Sequence, residues 1–240
     1  MPELLERQPK AVSQEIIISG IDEAGRGCIL GPMVIAGIAI PHEHEEKLKR
    51  MGVKDSKQLS PAKREELAKK IEDIASIIVL EVAACKIDNY RKQGISLNRL
   101  EAIKFAEILN LQKPHKAFID GPDTNLPKLH GYLKKMAPDG IELVVEHFAD
   151  SKYPVVSAAS IIAKVERDKK IDQLRKEYGE IGSGYTSDPV TVKWLEDWMK
   201  THKELPECAR KSWITSEILV EKKQQSMLSS FLGKIKGSQA

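Results

Sequence analysis

The sequence predicts an α/β fold, a mixed β-sheet with helices on both faces. Three observations predict it. Two β-branched apolar runs, 14–22 and 33–40, flank a glycine-rich turn, so they read as an antiparallel hairpin. From about residue 76 onward, strand-like and helix-like periods alternate, the pattern of strands joined by crossing helices. The 240 residues are 41% hydrophobic and 30% charged, an ordinary globular balance that suits one main core with an appendage.

Each element has a local reason. Residues 1–13 read as a loose leader. The runs 14–22 and 33–40 are almost continuously apolar, as expected of strands buried on both faces. Ser60 and Pro61 are an N-cap and a proline at the first helical position, and Leu67, Ile71 and Ile74 supply that helix's apolar stripe. Residues 76–84 read as a third strand. A helix follows at about 97–111, with Leu97, Leu100, Ile103 and Leu111 assigned to one face. Then come a strand at 116–120, a short helix at 127–136, a strand at 141–148 and a long helix at 155–178. After the loop Gly182-Ser183-Gly184-Tyr185, Asp188-Pro189 opens a helix carrying Trp194 and Trp198, one turn apart and read as core. One more helix is expected at 213–224, and a disordered polar tail from about 223.

Composition narrows the class. Cys28, Cys85 and Cys208 are odd in number and widely spaced, which argues against a disulfide framework or a zinc site and suits a reducing, cytoplasmic setting. No apolar stretch has the length of a membrane span, so no membrane partner is expected. A net charge of +3 is compatible with nucleic acid without requiring it.

The chemistry is concentrated at strand ends. Asp22 and Glu23 close the first apolar run, and Gly25-Arg26-Gly27 follows at once. Crowded carboxylates raise each other's pKa, and a divalent cation removes that cost. A glycine turn with an arginine suits phosphate. Asp120 ends the strand at 116–120, and Asp150 follows the strand at 141–148. If these strands are parallel, all four acids share the sheet edge where α/β proteins place their sites. Two divalent ions, about 4 Å apart in such centres, would neutralise the cluster and carry out phosphoryl transfer. Alternatively, Asp120 before Gly121-Pro122 forms a turn, and Asp150 caps the next helix. Ser56 and Lys57 could hold a backbone phosphate or belong to a solvated loop. Lys164, on a helix face of small residues that packs on the sheet, could reach a phosphate. Tyr185 could stack on a sugar or base. The six histidines show no metal-ligand spacing.

Asp22-Glu23-Ala24-Gly25-Arg26-Gly27, Asp55-Ser56-Lys57, Asp120, His147-Phe148-Ala149-Asp150, the run 154–164 and Gly182-Ser183-Gly184-Tyr185 occur in that order. Over about 14–215 the chain resembles the type 2 ribonuclease H family, ribonuclease HII, and is most similar to its archaeal members. The resemblance implies a ribonuclease H-like fold with a C-terminal helical extension. It implies an endonuclease that cuts the RNA strand of RNA–DNA hybrids and incises 5′ of ribonucleotides embedded in duplex DNA. It further implies two Mg²⁺ or Mn²⁺ ions on Asp22, Glu23, Asp120 and Asp150, and 5′-phosphate and 3′-hydroxyl ends. By the same matching, Gly25, Arg26 and Gly27 sense the ribose 2′-hydroxyl and adjoining phosphate, and Tyr185 packs on the following deoxyribose. Such an activity belongs to ribonucleotide excision repair and DNA replication. A non-catalytic binding module would not need four acids. An exonuclease or resolvase would not need the glycine turn paired with Tyr185.

The C-terminus carries a second pattern. Gln225, Leu228, Phe231 and Leu232 are similar to the motif by which replication proteins bind a sliding clamp, the three apolar residues sharing one face of a helical turn. A frayed amphipathic end is the alternative. The expected organisation is a catalytic domain at 14–205, a helical extension at 206–224 and a flexible tail at 225–240, in a monomer.

Overall fold

The computed structural model describes residues 15–53, 59–122 and 124–237, with side chains as far as Gln225. The expected leader at 1–13 and the Asp55-Ser56-Lys57 loop lie outside the described residues. A five-stranded sheet has the order β3-β2-β1-β4-β5, with β1 Ile17–Ala24, β2 Met33–Pro41, β3 Ser76–Val82, β4 Lys116–Asp120 and β5 Glu142–Glu146. β1 pairs antiparallel with β2 and parallel with β4, and β4 pairs parallel with β5. The sheet is therefore mixed, as the sequence predicts, with β1 at its centre. β1 and β2 are buried along nearly their whole length, which explains their continuous apolarity.

Nine α-helices are seen among the described residues: α1 Glu45–Met51, α2 Pro61–Glu72, α3 Ala84–Lys92, α4 Leu97–Gln112, α5 Leu126–Met136, α6 Ala149–Lys152, α7 Pro154–Tyr178, α8 Pro189–Thr201 and α9 Ile214–Gly237. α1, α2 and α7 cover one face of the sheet, through Leu48, Leu67, Ile71, Val155 and Ile162. α4 and α5 cover the other, through Leu100, Phe105, Ile108, Leu109 and Leu129. A third cluster joins Ile29 and Leu30 to Ile181, Leu195, Met199 and Leu219. The start of α7 lies almost on the backbone of β1. A Cβ on Gly20 would come within 2.3 Å of the Val155 carbonyl carbon, so only glycine permits this approach.

Three differences from the sequence reading stand out. The stripe assigned to α4 is partly out of phase, because Leu111 is 65% exposed while Ala102, Phe105 and Leu109 carry the buried face. The short helices α1, α3 and α6 were not foreseen. α9 keeps helical backbone to Gly237, past the point near 223 where an unstructured tail was expected.

Candidate active site

The site is built at the exit of β1. Ile21 of β1 is in register with Ile119 of β4, so Asp22 and Asp120 lie side by side on neighbouring parallel strands, although β1 runs two residues past Asp22, to Ala24, rather than ending there as expected. Asp150 arrives differently. The chain leaves β5, turns at Phe148 in the left-handed region (φ 56°), and starts α6 with the Ala149 N–H donating to Asp120 Oδ1 at 2.9 Å. Asp150 therefore rides on α6 rather than on a strand end. One carboxylate oxygen from each of Asp22, Asp120 and Asp150 lies within 4.8 Å of the other two. Glu23 lines the same cleft without joining that three-way group.

Asp22 and Glu23 are unfavourable as buried charges in the absence of a cation. Burial, reinforced by the charge of Asp120, raises Asp22 to about 7, although a hydrogen bond from Ser160 and the charge of Lys164 oppose it. Burial raises Glu23 well above the carboxylate range, and Asp22, Glu101 and Asp120 add to it. Glu23 Oε2 is a buried oxygen with no hydrogen-bond partner. Converging hard oxygen donors with an orphaned buried oxygen beside them suit a divalent cation.

The cleft holding these acids has a volume of about 520 Å³ and is also lined by Gly25, Arg26, Gly27, Arg64, Lys164, Arg167, Asp168 and Tyr185. The structure thus brings together every site residue named from the catalytic part of the sequence except Ser56 and Lys57, which lie outside the described residues. Lys164 donates to Ser160 Oγ, so the small-residue face of α7 packs on the sheet and also reaches the acids. Arg26 differs from expectation. Its guanidinium is turned toward α4, with Nε 2.7 Å from Glu101 Oε1 and Nη2 donating to Asn98 Oδ1 at 2.6 Å. Tyr185 bridges to Cys28, and burial pushes its hydroxyl up to about 12.

Sequence reasoning missed Glu101, Arg64, Arg167 and Arg210. Glu101 is fully buried inside the apolar phase of α4, which is a readable anomaly. Arg167 is one turn beyond Lys164, donates to Ser183 O at 2.8 Å and Cys28 Sγ at 2.9 Å, and lies 4.7 Å from the Tyr185 ring. Arg64 donates to Leu59 O and Asp168 Oδ2 at 2.9 and 3.0 Å. Arg210 lies in a loop, and nothing local in the sequence marks it.

Converging carboxylates on the central strand of a mixed sheet fit the class of metal-dependent phosphodiester hydrolases. The ribonuclease HII family model matches residues 19–216. Ribonuclease HII of Methanocaldococcus jannaschii is 45% identical over 228 residues, covering 89% of this chain and 99% of that protein. The ribonuclease H2 structure from Pyrococcus horikoshii OT3 superposes with a TM-score of 0.82 at 42% identity, covering 87% and 99% of the two chains. The ribonuclease HII of Archaeoglobus fulgidus, solved as a complex with PCNA, superposes with a TM-score of 0.77 at 43% identity, covering 82% and 95%. The chain belongs to the ribonuclease HII family, divalent-metal-dependent endonucleases that cut the RNA of RNA–DNA hybrids.

Proposed function

We propose that the protein incises duplex DNA on the 5′ side of an embedded ribonucleotide, as well as the RNA strand of hybrids, and leaves 5′-phosphate and 3′-hydroxyl ends. The observation that carries this reading is a shared cleft: the acids, the Gly25–Gly27 turn and Tyr185 all line it. Asp22, Glu23, Asp120 and Asp150 would hold two Mg²⁺ or Mn²⁺ ions. What such ions supply when bound is a water of lowered pKa and charge stabilisation of the leaving oxygen. The protein's own groups do the rest. Ser160 and Lys164 favour the carboxylate form of Asp22, in part offsetting its burial. The turn reads the ribose 2′-hydroxyl, the one group that separates RNA from DNA at the cut. Tyr185, held by Arg167 and the Cys28 bridge, packs on the next sugar.

The test is a DNA duplex with one ribonucleotide, with the products mapped at nucleotide resolution. A single cut 5′ of the ribonucleotide is expected. A 2′,3′-cyclic phosphate would mean that the 2′-hydroxyl is the nucleophile, contrary to this reading. Tyr185→Ala is expected to weaken junction substrates more than uniform hybrids.

A second reading concerns a partner. The A. fulgidus relative was solved with PCNA, and Gln225, Leu228, Phe231 and Leu232 of this chain, in the C-terminal half of α9, resemble a clamp-binding motif. The C-terminus is proposed to dock on a sliding clamp.

A further inference from the structure

Arg210 is fully buried, and among the described residues it makes no ion pair. Burial lowers its pKa only to about 10, so the guanidinium keeps its charge at neutral pH. A buried charge that no acid pairs directly is costly even with Asp88 nearby, and a fold retains one only where hydrogen bonds or a ligand answer it. Three hydrogen bonds answer this one. Nη2 donates to Gly25 O at 2.5 Å, Nη1 to Arg26 O at 2.6 Å and Nε to Gly31 O at 3.2 Å. All three acceptors are backbone carbonyls of the loop between β1 and β2.

The pattern has a geometric consequence. In a trans peptide the C=O and the following N–H point in opposite directions. Gripping the Gly25 and Arg26 carbonyls from behind therefore aims the N–H groups of Arg26 and Gly27 away from Arg210. Both residues line the cleft that holds the acids. Within the described residues no hydrogen bond draws either N–H back into the protein. The Arg26 side chain is occupied by Glu101 and Asn98, which leaves the main chain of the turn to face the substrate. Gly25 completes the geometry. Its φ is +80°, and a Cβ there would come within 2.5 Å of Arg167 Nε.

We infer that Arg210 is a positioning residue: from behind the turn it fixes the direction of the Arg26 and Gly27 N–H donors that read the ribose and its phosphate at the cut. Its charge polarises the same two peptide groups and strengthens those donors toward an anion. The inference rests on the turn being the ribose reader, as proposed above. The arginine is itself held from the far side. Asp88 accepts from the Lys211 and Ser212 N–H groups at 2.8 and 3.0 Å, and Trp213 lies under the guanidinium at 4.9 Å.

The test uses the distribution of cuts, which does not depend on how much of the enzyme is folded. The substrate is a duplex whose one strand carries four ribonucleotides followed by DNA. Wild type is expected to give one dominant product at the junction. Arg210→Lys keeps the charge but cannot span three carbonyls. It is expected to shift a large share of cuts to neighbouring ribonucleotides and to lower kcat/KM at the junction by about 10–100-fold, the range for losing an outer-shell partner. Should Arg210→Lys fail to fold, Asp88→Asn, which loosens the same segment away from the cleft, decides by the same shift. A folded variant with the wild-type cut distribution overturns the inference. Absence of a dominant junction cut in wild type would instead overturn the reading of the turn on which it rests.

Discussion

Burial, with Asp120 beside it, makes the Asp22 carboxylate unfavourable unless a proton or a cation offsets its charge. Replacing Asp22 or Asp120 by Asn keeps the shape and removes a ligand charge, so hydrolysis is expected to fall by more than about 100-fold, beyond the loss of an outer-shell partner. Hybrid binding, measured by fluorescence anisotropy, is expected to survive. The same residue sets a pH dependence. Its usual pKa of 3.8 rises to about 7 on folding. Between those values the folded, metal-free protein retains a proton that the unfolded chain has released, so stability falls as pH rises from about 4 to 7. Melting with a chelator is expected to show this loss, and a divalent ion is expected to restore the melting temperature mainly above pH 7. An equal metal effect at pH 4 and pH 8 would contradict the assignment. The carboxylates were legible because acids that interrupt apolar runs are conspicuous. Arg167 and Arg210 were not, since each reaches groups far away in sequence, the Cys28 sulfur and the carbonyls of the β1–β2 loop.

At the scale of elements, the acids depend on how closely α7 lies on β1. Gly20→Ala would drive a methyl group into the Val155 backbone, which cannot yield like a flexible side chain. A cost at or above the upper end of about 1–3 kcal/mol is expected from chemical denaturation. Activity is expected to fall further than the folded fraction, because Ser160 and Lys164 ride on the same helix. The long elements were readable from their periods and caps: Ser60 and Asp188 cap the helices that follow them. The departures have physical causes. α1 and α6 span only 7 and 4 residues, too few for a period to emerge. In α4 the buried Glu101 interrupts the apolar face, and exposed Leu111 mimics its continuation.

At the scale of the whole molecule, the C-terminal third completes the site and then continues past it. Ile29 and Leu30 donate to Gly184 O, Gly31 to Cys208 O, and Arg210 to Ile29 O, so the β1–β2 loop is stitched to segments about 150–180 residues away in sequence. The segment 206–213, assigned from sequence to an extension, therefore supports the Gly25–Gly27 turn directly. No local pattern could reveal that, because the partners meet only in the folded chain. α9 is anchored by buried Ser216 and Leu219 and by Lys223, whose Nζ donates to Met199 O at 2.5 Å. Lys223 lies just before the proposed clamp motif, which begins at Gln225. Truncation after Gln224 is accordingly expected to leave the melting temperature and the hydrolysis of short substrates unchanged. Clamp binding is expected to vanish in that truncation and in Phe231→Ala, because the apolar anchors carry most of such an interface. The full chain has an advantage over an isolated 223–236 peptide. So short a helix is marginal alone, whereas α9 is already nucleated on the body of the protein. Calorimetry against the cognate clamp should therefore give the full chain the higher affinity. No heat from the full chain at high micromolar concentration would make the Gln225–Leu232 pattern a coincidence, and equal affinities would remove the part assigned to α9.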